Sequence, residues 1–132
     1  KNKDIHGTTP LAIASYCGHT DIVGQLIEWG VDVNYPGLNG ATPVSVAAEE
    51  GHVDIVHKLL SAGANCNVPD DDGVTPLIIA CHLGHLEVIH LLHRFGANFN
   101  YKSESGSSAM GAAVAGGHSN IVKLLYEIWN DP

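Results

Sequence analysis

The chain has 132 residues, and its 14 Asp and Glu outnumber its 6 Lys and Arg to give a formal net charge of -8 at pH 7. A surface of this sign repels phosphate groups, which argues against nucleic acid and anionic lipid as partners. Hydrophobic residues make up 45% of the chain, enough for one domain with a sizeable core, but no apolar run approaches the ~20 residues of a membrane-spanning helix.

The sequence repeats itself at a fixed interval. The segment GHTDIVGQLIEWGVDVN at 18–34 returns as GHVDIVHKLLSAGANCN at 51–67 and as GHLEVIHLLHRFGANFN at 84–100, each time after 33 residues. A looser copy, GHSNIVKLLYEIWN, begins at Gly117. A constant period of this length is typical of repeat folds. We expect one domain over 1–132 with repeats at about 4–36, 37–69, 70–102 and 103–132, and we expect the chain to be a piece of a longer polypeptide.

Each repeat begins with a signal for a short helix. In the first three repeats, the segments GTTPL, GATPV and GVTPL place a threonine before a proline, whereas the fourth has GSSAM. The threonine hydroxyl can cap the helix, and proline suits the first helical position because its missing N–H needs no partner there. A glycine about two turns later is expected to end this helix. These glycines are Gly18, Gly51, Gly84 and Gly117.

A second helix is predicted directly after each of these glycines. In the first repeat its apolar residues form one stripe, and Asp21 lies in the first turn, where the helix dipole favours negative charge. The stripe consists of Ile22, Val23, Leu26 and Ile27. Neither helix is long enough to be stable alone, so the stripe is buried only when repeats stack on one another. The sequence therefore predicts an all-α solenoid of helix-turn-helix units.

The shared motifs G-x-T-P-L, G-H, I-V-x-x-L-L and G-A-x-x-N resemble the ankyrin repeat. The resemblance extends over essentially the whole chain, with a helical alanine at the same place in each copy, namely Ala14, Ala47, Ala80 and Ala113. It implies an all-α solenoid whose units end in β-hairpin or turn tips. It also implies that the first helices and the tips line a concave groove that binds other proteins.

The chain departs from the family pattern in places that affect stability. The histidine that usually follows T-P-L is replaced, so we expect looser tips; the replacements are Ala12, Ser45, Ile78 and Gly111. The fourth repeat is rich in glycine, which costs roughly 1 kcal/mol per helical position relative to alanine, so it should be the weakest. It also lacks an obviously charged outer face. We expect either more repeats to follow or something to cover Tyr126, Ile128 and Trp129.

The histidines raise the question of a metal site. His19, His52, His85 and His118 recur in phase after the loop glycine, and their ring nitrogens are expected to bond loop backbone groups. His90 and His93, with Glu87, could share one helical face, but no fourth ligand is evident. Because His93 falls at a core position, we interpret it as a buried, hydrogen-bonded histidine. We predict no metal and no cofactor.

Nothing in the sequence forms a catalytic constellation. Cys17, Cys66 and Cys81 show no spacing typical of a metal site or of nucleophilic catalysis, and we interpret them as free thiols. The run Asp70–Asp72 lacks the alternating ligands and the closing Glu of an EF-hand and is interpreted as an acidic turn. We therefore predict no enzymatic activity within these residues. The free thiols, with no signal-like apolar segment, favour a cytoplasmic location, with a nuclear one also open.

Positions that differ between repeats while the scaffold stays constant are the candidates for partner binding. They lie on the tips and at the ends of the first helices. The predicted set is Ile5, His6, Tyr16, Leu38, Asn39, Glu49, Glu50, Asp71, Asp72, His82, Leu83 and Glu104.

Carboxylates dominate the second to fourth repeats of this set, and close carboxylates repel one another unless a cation arrives. We hypothesise a protein-protein interaction module, a scaffold or adaptor, that binds a partner segment carrying Lys or Arg, with an apolar anchor near Tyr16. The alternative for the carboxylates is that they only keep the domain soluble. The alternative function is a targeting or autoinhibitory arm of an enzyme or effector whose catalytic domain lies outside this chain. A monomer is expected.

Overall fold

A computed structural model describes residues 9–130, and that range contains eight α-helices. They are α1 (Pro10–Cys17), α2 (Thr20–Glu28), α3 (Pro43–Glu50), α4 (Val53–Ser61), α5 (Pro76–Leu83), α6 (Leu86–Arg94), α7 (Ala109–Ala115) and α8 (Ser119–Trp129). Consecutive pairs, from α1–α2 to α7–α8, are repeats one to four. The predicted all-α architecture is confirmed.

The helices begin where the capping residues predict. The Thr9 hydroxyl accepts a hydrogen bond from the backbone N–H of Ala12 at 3.1 Å, and Thr42 and Thr75 make the equivalent bond. In repeat four Ser108 replaces threonine and still accepts from the Gly111 N–H at 3.1 Å. The side-chain oxygen, which both residues carry, is therefore what starts the helix.

The helices form two layers. In the inner layer α1 contacts α3, α3 contacts α5, and α5 contacts α7; in the outer layer α2 contacts α4, and α4 contacts α6. The core lies between the layers and is continuous from Leu11 to Leu125. Its fully buried members include Val44, Leu59 and Ile89. Each repeat thus buries its apolar stripe against its own partner helix and against its neighbours, as a solenoid requires.

Histidines join successive repeats, which confirms their structural interpretation at three of the four positions. The Nε2 atom of His52 lies 3.1 Å from the backbone carbonyl oxygen of Tyr16. The Nε2 atom of His85 lies 3.0 Å from the carbonyl oxygen of Glu49, and that of His118 lies 2.9 Å from the carbonyl oxygen of His82. Because a carbonyl can only accept, Nε2 carries the proton in each bond. Every ring therefore ties its own repeat to the end of the preceding inner helix.

The tips are turns. Within residues 9–130 the structure contains no β-strand, only an isolated antiparallel bridge between Lys102 and Ser108 and a short 3₁₀ helix, Leu38–Gly40. Neighbouring tips are linked by the Asp71 N–H, which donates to the Asn39 carbonyl at 3.0 Å, and by the Tyr101 hydroxyl, which donates to the Gly73 carbonyl at 2.9 Å. Of the two forms expected for the tips, the turn is the one observed.

The prediction that His93 is buried is wrong. Its side chain is exposed at the end of α6 and meets the ring of Phe99 edge-on, with 5.2 Å between the ring centroids. Phe99 stands where repeat two has the smaller Cys66, and both residues are buried. The larger ring closes the core at this point, so His93 remains at the surface.

Candidate functional site

The candidate site lies along the ends of the inner helices and the adjoining tips. Tyr16, Glu49 and His82 occupy the same position in α1, α3 and α5, and all three side chains are exposed. Leu83 and Glu50 follow them and are also exposed. We call this surface the groove. Of the predicted residues, Ile5 and His6 lie outside the described part of the chain.

Inter-repeat histidines hold the backbone of the groove in place. Tyr16, Glu49 and His82 are the three residues whose carbonyl oxygens accept from the ring of the following repeat. Since consecutive inner helices also contact one another, these positions form one row across repeats one to three. The scaffold residues thereby present variable side chains at regular spacing.

The tips of repeats two and three lie side by side. The backbone bond between Asp71 and Asn39 brings Leu38 and Asn39 next to the acidic turn. In that turn the Asp70 carboxylate accepts from the N–H groups of Asp72 and Val74 at 2.9 and 3.0 Å, as expected of an acidic turn. Asp70 therefore shapes the turn, while Asp71 and Asp72 leave their carboxylates exposed to a partner.

Carboxylates predominate among the charged side chains of the groove. Glu49, Glu50, Asp71, Asp72 and Glu104 are all exposed, and none of them forms an ion pair within residues 9–130. Among the cations of the described residues, Lys58, Arg94 and Lys123 belong to the outer helices, whereas Lys102 lies on the tip of repeat four. A basic partner would therefore meet carboxylates that no side chain of the described region already neutralises.

A pocket of about 460 Å³ opens in the groove between repeats three and four. Val74, Ile79 and His82 line one side, and Ala112 and Ala115 of α7 line the other. The sequence pattern does not predict this pocket, since it places the apolar anchor near Tyr16. The sequence signal for this pocket is the run of small residues in α7: beside bulkier α5 residues, they leave room for a side chain of another molecule.

No group of three or more His, Cys, Asp or Glu side chains that could hold a metal occurs in the described residues. Between residues 9 and 130 no helix is long and apolar enough to cross a membrane. His90 lines a shallow depression on the outer helices with His57, Asp54 and Glu87.

The three thiols differ in exposure, which leads to a prediction. Cys17 is exposed at the end of α1, whereas burial raises the pKa of Cys66 and raises that of Cys81 to about 12. Because the thiolate is the reactive form, a disulfide reagent at pH 8 should modify Cys17 rapidly and the other two only after denaturant is added. Counting released chromophore with and without urea measures this, and rapid reaction of all three thiols in the native protein would contradict it.

The raised pKa of Cys81 also makes the stability of the fold depend on pH. Above pH 9 the unfolded chain loses the Cys81 proton while the folded chain keeps it, so the unfolded state binds fewer protons. The free energy of unfolding therefore falls as pH rises from 9 towards about 12.

Comparison with known families agrees with this geometry. The family model described as ankyrin repeats (3 copies) matches residues 1–70 and 44–131. No curated protein matches the chain. Ankyrin repeats are generally protein-protein interaction modules, and the family is typically non-catalytic. With motifs, stacked helix pairs and a family match that together extend over most of its length, this chain belongs to the ankyrin-repeat family.

Proposed function

We propose that the groove binds a segment of a partner protein that carries Lys or Arg, and that the chain serves as a scaffold or adaptor in a reducing compartment, the cytoplasm or the nucleus. The observation that carries the proposal is the set of five exposed carboxylates, at Glu49, Glu50, Asp71, Asp72 and Glu104, without an ion-pair partner in the described structure. The negative electrostatic potential of these carboxylates speeds the encounter with a basic segment and disfavours the binding of acidic segments.

An apolar side chain of the partner is proposed to enter the pocket between repeats three and four. His82 lines that pocket, and Glu49 occupies the equivalent position in the preceding repeat. A segment whose apolar side chain is anchored in the pocket therefore passes the Glu49 carboxylate as it continues along the groove. An Arg on the segment could form two parallel hydrogen bonds with Glu49 or Asp72. A buried anchor supplies most of the affinity in interfaces of this kind, whereas the charges supply register and specificity.

The proposal predicts which peptides bind and which substitutions abolish binding. A random peptide library displayed on phage, selected on the immobilised chain, should yield peptides that combine Lys or Arg with one bulky apolar residue. Replacing Glu49, Glu50, Asp71 and Asp72 by lysine should weaken the binding of the selected peptides. We expect their Kd to rise at least about tenfold, which corresponds to ~1.4 kcal/mol of binding free energy. Raising the salt concentration should weaken binding to the unchanged chain as well.

A matched control changes the same net charge elsewhere. Glu28, Asp54, Glu87 and Glu127 are exposed on the outer helices, and their replacement by lysine should leave peptide affinity nearly unchanged. Circular dichroism establishes that both variants are folded. Equal affinities in the groove variant and the unchanged chain would show that the carboxylates only keep the domain soluble.

A further inference from the structure

The groove has a floor of apolar residues one helical turn from the row at Tyr16, Glu49 and His82. Each floor residue precedes its row residue by three positions, so the two lie on the same face of an inner helix. The floor residues are Ile13, Val46 and Ile79, followed by Ala112 in repeat four. Ile13 is 48% exposed, and the other three are partly exposed. Each repeat thus presents one floor residue and one row residue to the groove.

Repeat four has alanine at both of these positions. Ala112 takes the place of Ile79, and Ala115 takes the place of His82. All four residues line the pocket of about 460 Å³, and both of its walls belong to helices inside the described region. The pocket therefore lies where the floor changes from large side chains to small ones, and it offers depth to an apolar side chain of another molecule.

Helix packing fixes the distance from this pocket to Glu49. The axes of packed helices lie roughly 8–10 Å apart. Since α3 contacts α5 and α5 contacts α7, Glu49 lies one such step from His82, and the pocket lies about half a step beyond His82. The position of Glu49 is therefore roughly 12–15 Å from the centre of the pocket.

The geometry of an extended chain converts this distance into a residue spacing. Such a chain advances roughly 3.3–3.6 Å per residue, so roughly four residues cover the distance. Alternate side chains of an extended chain point to opposite faces. Two residues separated by four positions therefore both face the groove, whereas at a separation of three or five positions one of them faces away. A separation of two positions reaches only about 7 Å.

We infer that the partner segment lies across the inner helices in extended conformation, with a bulky apolar residue in the pocket and an Arg or Lys, four positions away, paired with Glu49. This rests on the proposed function and adds the conformation of the segment, the spacing of its two recognition residues and the carboxylate that receives the cation. Glu49 is exposed and has no ion-pair partner within residues 9–130. Val46, the floor residue of the same helix, offers apolar contact to the stem of the Arg or Lys.

Insertions into the selected peptides test the spacing. In the tightest peptide from the phage selection, one serine inserted between the apolar and the basic residue should raise Kd at least about fivefold, close to the effect of replacing the basic residue by glutamine. The same serine inserted outside that interval keeps the spacing and should leave Kd nearly unchanged. Fluorescence anisotropy of labelled peptides on the unchanged chain measures all of these values.

Variants of the chain identify the two contacts. Glu49→Gln keeps the backbone carbonyl that His85 bonds, and in this variant the inserted serine should have little effect because the ion pair is already absent. Glu87→Gln, at an exposed position of α6, is the matched control and should keep the full effect. Ala112→Ile copies Ile79 of repeat three and should weaken binding of the original peptide because it narrows the pocket. Circular dichroism establishes that each variant is folded.

The outcomes distinguish this inference from the proposed function. Selected peptides without Lys or Arg, or no enriched peptide at all, would contradict both. Peptides that carry the two residues but tolerate the insertion, or that space them about nine positions apart as on a helix, would overturn the inference alone. The same holds if the insertion effect survives Glu49→Gln and disappears in Asp72→Asn, or if Ala112→Ile leaves affinity unchanged.

Discussion

Truncation of Leu59 to alanine is expected to lower the free energy of unfolding by about 2–5 kcal/mol. Leu59 is fully buried in α4, within the continuous core between the two helix layers. Removing its side chain loses apolar burial and leaves a cavity that repeats on both sides cannot fill without moving. Because each repeat depends on its neighbours for stability, the loss should affect the repeats on either side as well.

The matched control for this substitution is the equivalent leucine of repeat one. Leu26 of α2 is only partly buried, so Leu26→Ala should cost clearly less than Leu59→Ala. Urea unfolding followed by circular dichroism gives both free energies by linear extrapolation. Equal losses would contradict the idea that stacking between repeats, and not the helix pair itself, buries this position.

Gly51→Ala should be the second most damaging change, lowering the free energy of unfolding by about 1.5–3.5 kcal/mol. Gly51 has φ +74°, a left-handed conformation that costs an alanine roughly 1–2 kcal/mol. A Cβ there would also lie 2.9 Å from the Cε1 atom of His85. The ring would have to move and give up its 3.0 Å bond to the Glu49 carbonyl, which is worth ~0.5–1.5 kcal/mol.

A substitution at Gly117 separates the conformational cost of alanine from the cost of displacing the histidine ring. It has the same φ of +74°, but no described atom lies within 4 Å of the added Cβ. Gly117→Ala should therefore show the conformational cost alone, and the difference between the two variants measures the displaced histidine. Thermal and urea unfolding supply both values. If Gly51→Ala were no worse than Gly117→Ala, the ring of His85 would not stabilise the junction.

The histidine junctions also connect stability with the proposed function. The ring of His85 bonds the carbonyl of Glu49, whose side chain belongs to the groove. A substitution that releases this ring therefore frees the backbone beneath a proposed binding residue. Gly51→Ala should therefore lower the affinity of the chain for the selected peptides, even though residue 51 contributes no side chain to the groove.

Alignment of the sequence with itself predicted the positions that recur. The threonine caps and the bonds of His52, His85 and His118 appear in the structure. The first helices of repeats one to three end at the predicted glycines, whereas α7 ends one residue earlier, with Gly116 as its cap. They could be predicted because each depends on local chemistry that is repeated every 33 residues. The exposed locations of Glu49 and Asp72 followed from the same comparison, since variable polar residues on a constant scaffold belong at the surface.

Positions that depend on the size of a neighbour could not be predicted in this way. His93 was placed in the core by its repeat position, but Phe99 fills that space. The pocket beside Ala112 and Ala115 forms where small residues of α7 and of the repeat-four tip face larger residues of α5. Such outcomes depend on the volumes of side chains from different helices, which a repeat pattern does not specify.

The amino-acid sequence alone determined the family, the two-helix unit and the surface that varies, because periodicity, capping and turn residues act within a few neighbouring positions. The tertiary structure decided that His93 is exposed, where an apolar side chain could enter the groove, and that Ile22 and Val114 are exposed although their equivalents in the other described repeats are buried. Burial depends on what the neighbouring repeats contribute, so the same repeat position can be buried in one repeat and exposed in another.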